Sequence, residues 1–169
     1  MRIIPRPSLN YNHRPAGVAI DCIVLHATES RNTQQDIAWL DRKHGDSSTH
    51  VVIDRDGTVY ALVAPELRAW HAGVSRFMGR DDVNNYAIGV EFANDCDRKE
   101  PFTEEQYGVG AQLVAQYMRQ FPEITLERIT RHSDIAVPLG RKPDPGPMFD
   151  MQKFLTLVQA ARIAAESAA

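Results

Sequence analysis

The stretch Val18-Ala19-Ile20-Asp21-Cys22-Ile23-Val24-Leu25 is apolar and partly β-branched, with no regular polar alternation. A strand of that composition has no face to leave in water, so it belongs inside a sheet covered on both sides. Tyr86-Ala87-Ile88-Gly89-Val90-Glu91-Phe92-Ala93 repeats the pattern with a single acid in it. Two such strands in 169 residues require helical layers to cover them, which makes the fold class α/β or α+β: a central mixed β-sheet flanked by α-helices in a single domain.

The covering elements can be found by their local signals. Residues 33–43 carry a capping residue, an early acid and late cations, the charge order a helix dipole favours. Thr103 and Gln106 form a capping box, Phe102 can staple onto Tyr107, and Leu113, Val114, Tyr117 and Met118 recur at helical steps, which predicts a helix to about Arg119. A closing amphipathic helix is marked from about Pro147 by Phe154, Leu155 and Val158. Asp56-Gly57 between two β-prone runs, His50 to Arg55 and Thr58 to Val63, signals a hairpin because the turn needs φ > 0. Ile129-Thr130-Arg131-His132 reads as one more short strand. Residues 1–17, rich in Pro, Asn and Arg, read as an extended N-terminal arm, with the domain proper over 18–169.

The balance of 19 basic against 22 acidic residues gives a net charge of −3, and no run of five or six like charges occurs, which argues against nucleic acid or an anionic membrane as partner. No apolar stretch reaches the 18 or so residues a spanning helix needs. Cys22 and Cys96 are far apart and outside any C-x-x-C spacing, so the expectation is two buried free thiols. Prolines and arginine interrupt the N-terminus before a secretory h-region could form, so the chain is expected to be cytoplasmic as synthesised, with monomer the default.

Among six histidines, His13 and His44 have contexts no richer than an exposed loop. His26 ends one inner strand and His132 follows another, where mixed-sheet proteins place functional groups. Asp144 lies in the proline-stiffened loop that follows. Two imidazole nitrogens and a carboxylate oxygen are a donor set that a catalytic zinc accepts. On spacing alone, ordinary loop hydrogen bonds remain the competing account of His132 and Asp144.

Taken together, the chain resembles the zinc-dependent type 2 N-acetylmuramoyl-L-alanine amidases, a family that includes bacterial muropeptide-recycling enzymes, phage lysozyme-like endolysins and peptidoglycan-recognition proteins. The resemblance rests on five segments in the family order: Ile23 to Thr28, His50 to Val59, Arg68 to Ser75, Asn84 to Glu91, and His132 to Ala136 continuing through Arg141 to Asp150.

The resemblance implies that His26, His132 and Asp144 bind one zinc ion, that Glu91 is the catalytic acid and base, and that Lys142 stabilises the reacting carbonyl oxygen. It also implies substrate contacts from His71 in the Trp-His-Ala-Gly motif and from Ala27, Thr28, His50 and Asn85 in neighbouring motifs. Some relatives carry a catalytic tyrosine where this chain has Thr49, which leaves Glu91 as the main proton-transfer group. Phage and animal relatives often use cysteine where Asp144 stands, so the aspartate favours the bacterial recycling-like branch.

The implied reaction is hydrolysis of the amide between N-acetylmuramic acid and L-alanine in peptidoglycan or its fragments, for recycling or for lysis after release by a holin. A recognition module that binds muropeptides without cutting them is the alternative, although such relatives typically lose a zinc ligand. A phage regulator that binds another protein is a third reading. Only 23 residues separate His26 from His50, too few for a large lid, so an open cleft is expected.

Overall fold

The computed structural model describes residues 1–28, 30, 32–94 and 100–167. In chain order the first half comprises β1 (Ile3–Pro5), β2 (Tyr11–His13), β3 (Cys22–Ala27), α1 (Thr33–Leu40), β4 (Val51–Ile53), β5 (Val59–Ala61), β6 (Leu67–Ala69), β7 (Arg76–Phe77) and β8 (Arg80–Asp81). The second comprises β9 (Ala87–Phe92), α2 (Glu104–Gln120), β10 (Ile129–Arg131), α3 (His132–Ile135) and α4 (Met151–Ser167).

Six strands form the main sheet in the order β1-β5-β4-β9-β3-β10. Both inner strands form, β3 and β9 side by side at its centre with every β3 residue buried, but β3 starts only at Cys22 and leaves the expected first half, Val18 to Asp21, outside it with Val18 exposed. The pairs β3–β9, β4–β9 and β3–β10 are parallel, whereas β4 and β5 form the antiparallel hairpin. Its turn runs from Asp54 to Thr58, with Gly57 at φ 80°, the left-handed conformation the Asp-Gly signal called for.

Side chains alternate across the central strands and so divide the core. Ile23, Leu25, Ile88, Val90 and Phe92 face α2 and α4, where Phe92, Phe102, Tyr107, Phe149 and Phe154 form an aromatic cluster. A Cβ on Gly110 of α2 would come within 2.8 Å of the Phe92 ring, so glycine there permits the close approach of helix to sheet. The α2 capping box forms as expected, Thr103 accepting from the Gln106 N–H and Gln106 from the Thr103 N–H. Cys22, Val24 and Ala87 point to the opposite face, as do His26 and Glu91 by the same alternation. This is the face where the functional residues collect.

Residues 1–17 are extended but are not a loose arm. β1 pairs with β5 at the edge of the main sheet, and β2 pairs with β6. Arg14 sinks its guanidinium among the carbonyls of Pro65, Asn84 and Ala87. Such pairing is long-range and leaves little hydrophobic pattern in three-residue strands. The α1 cap is Asn32, and Arg42 and Lys43, expected as the helix's last-turn cations, lie beyond its end at Leu40. Cys22 is a buried free thiol, while Cys96 lies outside the described residues. Among the described residues no helix is long and apolar enough to cross a membrane.

Candidate metal centre and cleft

The parallel register brings the site together. His26 on β3 pairs with Glu91 on β9, and β10 runs beside β3 and delivers His132 to the first position of α3. All three residues stand at the C-terminal ends of parallel strands, where open α/β sheets present their ligand sites. Asp144 arrives from the loop, its backbone carbonyl accepting from the Ser133 N–H at 2.9 Å. Arg141 fastens the same loop by donating to the carbonyls of Ala72 and Val74.

Three side-chain atoms converge. His26 Nδ1 lies 3.0 Å from His132 Nδ1 and 3.1 Å from Asp144 Oδ2, and His132 Nδ1 lies 3.0 Å from that oxygen. These three are the described residues' cluster able to hold a metal ion, and all are buried. A tetrahedral ion with bonds of 2.0–2.1 Å sets its ligands about 3.3 Å apart, close to this triangle. One proton cannot satisfy three mutually facing acceptor positions, whereas a cation can. Asp144 Oδ1 is buried without a hydrogen-bond partner, so the carboxylate has coordination capacity left over. The residues therefore fit a divalent ion of zinc type.

The electrostatics favour the same use. Burial, followed by the neighbouring His132, pushes the His26 pKa down to about 4, so the ring is neutral and offers a lone pair at neutral pH. Burial works against the Asp144 carboxylate, but hydrogen bonds and charge from His132 and His26 outweigh it and hold the carboxyl well below its ordinary range.

Glu91 and Lys142 line the cleft beside the triangle, together with Ala27 and Thr28. The cleft has a volume of about 460 Å³ and opens to solvent, in keeping with the short span between His26 and His50. His71 also lines it, but its Nδ1 faces His26 Nε2 at 3.0 Å, so its ring supports a metal-site histidine as well as the cleft wall.

Two expected substrate contacts stand elsewhere. His50 is fully buried: its Nδ1 accepts from the Gly89 N–H at 2.9 Å and its Nε2–H donates to the Leu67 carbonyl at 3.1 Å. Burial and then the adjacent Arg14 charge lower its pKa to about 3, so it is a neutral structural residue. Asn85 accepts from Arg68 at 2.7 Å outside the cleft lining, and the adjacent Asn84 is the one turned toward the site. Thr49 is buried and donates to the Gly89 carbonyl. His13 lies in exposed β2 and His44 in an exposed turn, as expected of uninvolved histidines.

Sequence reasoning missed Trp39 and Asp36, which bring α1 into the cleft wall, and Trp70, whose indole N–H donates to Asn12. Trp39 could have been noticed as a large aromatic on the polar side of a short helix; it is 56% exposed. Asp36 carried no comparable signal. Burial raises the pKa of its carboxyl.

Residues 16–147 match the N-acetylmuramoyl-L-alanine amidase family. The chain is similar to the 1,6-anhydro-N-acetylmuramyl-L-alanine amidase AmpD of Haemophilus influenzae, with 41% identity over 112 residues, 66% of this chain and 59% of that protein. The aligned part thus spans less than two thirds of that relative's length. The fold is similar to the crystal structure of a selenomethionine AmpD derivative, with a TM-score of 0.81, 31% identity and 93% of each chain covered. It is also similar to AMPDH3 from Pseudomonas aeruginosa, solved in complex with anhydromuramic pentapeptide, with a TM-score of 0.72 and 28% identity over 89% of this chain and 65% of that one.

Proposed function

The chain belongs to the N-acetylmuramoyl-L-alanine amidase family, and from that premise we propose that it hydrolyses the amide between N-acetylmuramic acid, or its 1,6-anhydro form, and L-alanine. The observation that carries this reading is the triangle of His26 Nδ1, His132 Nδ1 and Asp144 Oδ2, with Glu91 in register on the neighbouring strand.

Zinc held by the three side chains supplies a Lewis acid that polarises a carbonyl and makes water a nucleophile near neutral pH. Glu91 takes a proton from the attacking water as its oxygen bonds to the lactyl carbonyl carbon. As the carbon–nitrogen bond breaks, Glu91 returns that proton to the amine of L-alanine. Lys142 offsets the negative charge that develops on the carbonyl oxygen. The products are a free stem peptide and a sugar acid.

Soluble 1,6-anhydro-muropeptides, rather than intact wall, are the favoured substrate, and recycling in the cytoplasm the favoured role. The relatives support this: one is named for the 1,6-anhydro sugar and another was solved with an anhydromuramic pentapeptide.

The test is mass spectrometry of products from purified anhydro-muropeptides and from intact sacculi, with and without chelator, beside Glu91→Ala. Release of stem peptide that stops on zinc removal and in the variant is expected, with muropeptides cut faster than sacculi. A zinc-loaded wild-type protein that binds muropeptides yet releases no peptide from either substrate would overturn the enzyme reading in favour of a recognition module.

A further inference from the structure

Both imidazoles must present Nδ1 to the metal, so what holds their Nε2 edges decides whether the site is preformed. His132 Nε2 faces the Ala72 carbonyl at 3.1 Å, and because a carbonyl only accepts, that nitrogen carries the proton. His26 Nε2 faces His71 Nδ1 at 3.0 Å; with His26 Nδ1 given to a metal, Nε2–H must be the donor and His71 Nδ1 the acceptor. The two acceptors come from adjacent residues of one segment, the side chain of His71 and the main chain of Ala72.

That segment is tied down in turn, its Ala72 carbonyl also accepting from Arg141 at 3.1 Å and its two N–H groups sharing one acceptor. The backbone N–H groups of His71 and Ala72 both donate to Asn84 Oδ1, at 3.1 and 2.9 Å. Two donors converging on that atom identify it as the amide oxygen rather than the nitrogen. Asn84 is 5% exposed and follows Val83, whose N–H donates to Ser75 Oγ, while the Asn84 carbonyl accepts from Arg14 at 3.0 Å. The His71 ring is seated from the other side by Gly89, where a Cβ would approach it to 2.6 Å.

We propose that Asn84 is the positioning residue for both imidazole ligands: its side-chain oxygen fixes the His71-Ala72 segment, which in turn orients His26 and His132 with their Nδ1 atoms facing Asp144. The identity of the metal rests on the amidase reading, but the device itself concerns metal affinity and is independent of turnover.

Zinc affinity of the full chain is measured by competition with a chromogenic chelator, alongside thermal unfolding of the metal-free protein. Asn84→Leu removes the acceptor at similar size and is expected to weaken zinc binding roughly 10–100-fold, the usual effect of losing a partner that orients a ligand. Asn84→Asp keeps an oxygen for both N–H groups and is expected to bind close to wild type. His71→Leu removes the acceptor for His26 alone and is expected to lose less than Asn84→Leu, and His71→Asn, which offers an amide oxygen near the place of Nδ1, to recover most of that loss.

Wild-type affinity in a folded Asn84→Leu protein would overturn the proposal, as would equal loss in the Leu and Asp variants. Should Asn84→Leu not fold, Asn84→Ala takes its place, and wild-type zinc affinity in that variant, or equal loss in both His71 variants, overturns the proposal. Failure of the amidase reading looks different: zinc binding keeps this ranking while no stem peptide is released.

Discussion

His26 and Glu91 are register partners on adjacent parallel strands, β3 and β9, so their side chains emerge side by side on one face of the sheet. The proposed metal ligand and the proposed proton carrier are thereby placed together by backbone hydrogen bonding, on rigid elements of the scaffold.

That pairing separates metal binding from proton transfer. Glu91→Gln preserves size and removes the basic oxygen, so turnover of anhydro-muropeptide should fall by about 10²–10⁴-fold, the usual contribution of a general acid–base group. Zinc stoichiometry and affinity should stay at wild-type values, since Glu91 is not one of the three converging ligands. Chromatographic rates and a chelator titration on the same preparation check both halves. A parallel loss of zinc would assign Glu91 to the metal shell instead.

Acid should destabilise the metal-free protein. His26 and His50 have folded pKa values near 4 and 3, below the ordinary value of 6.5, and burial pushes His71 in the same direction. The unfolded chain therefore takes up protons first as pH falls below about 6.5, and stability declines until the folded-state values are reached. Asp144, with its carboxyl held below the usual range, adds a contribution present above about pH 4 and lost on further acidification. The Tm of chelator-treated protein should hence be level above about pH 7 and fall continuously toward pH 4. A Tm unchanged across that interval would contradict the neutral, buried state of these rings.

Gly89 should be intolerant of even a methyl group. Its backbone is not in the left-handed region, so alanine is not strained there, but the added Cβ would meet the His71 ring at 2.6–2.9 Å. Overpacking of this kind costs about 1–3 kcal/mol. Because the displaced ring is the acceptor for His26, Gly89→Ala should lose zinc affinity as well as Tm. Thr103→Ala is the matched control: it removes an α2 cap worth about 1 kcal/mol while leaving zinc affinity unchanged.

What could be read from the sequence tracks how local each signal is. The α2 capping box, the Gly57 turn and the two inner strands are encoded within a few residues, and all form, β3 over the second half of its expected run. His26 and His132 could be singled out because they end or follow strands, and Asp144 because prolines stiffen its loop, but spacing alone left ordinary loop hydrogen bonds as the rival account of His132 and Asp144 until the family resemblance was added. The N-terminal strands were not legible because their partners, β5 and β6, lie some fifty residues away. The placement of His50 and Asn85 was hidden for a related reason: a motif fixes position along the chain but not whether a side chain turns to the cleft or, as here, to Leu67 and Arg68.

Trp39 is the residue on which the substrate side of the cleft can be tested without touching the metal. It stands on α1, is 56% exposed and lines the cleft, with the Arg42 guanidinium 3.5 Å from its ring centroid. A solvent-facing indole stiffened in this way offers a flat apolar surface suited to a sugar ring or peptide side chain. Contacts made equally in ground and transition states affect KM rather than kcat. Trp39→Ala should therefore raise KM for anhydro-muropeptide by roughly fivefold, about 1 kcal/mol of lost contact, with kcat little changed. Trp39→Phe should recover part of the loss. Stability should hardly move, because the exposed ring lies outside the core clusters. Steady-state kinetics on the three proteins would decide it, and a fall in kcat at constant KM would mean that α1 shapes the reacting geometry itself.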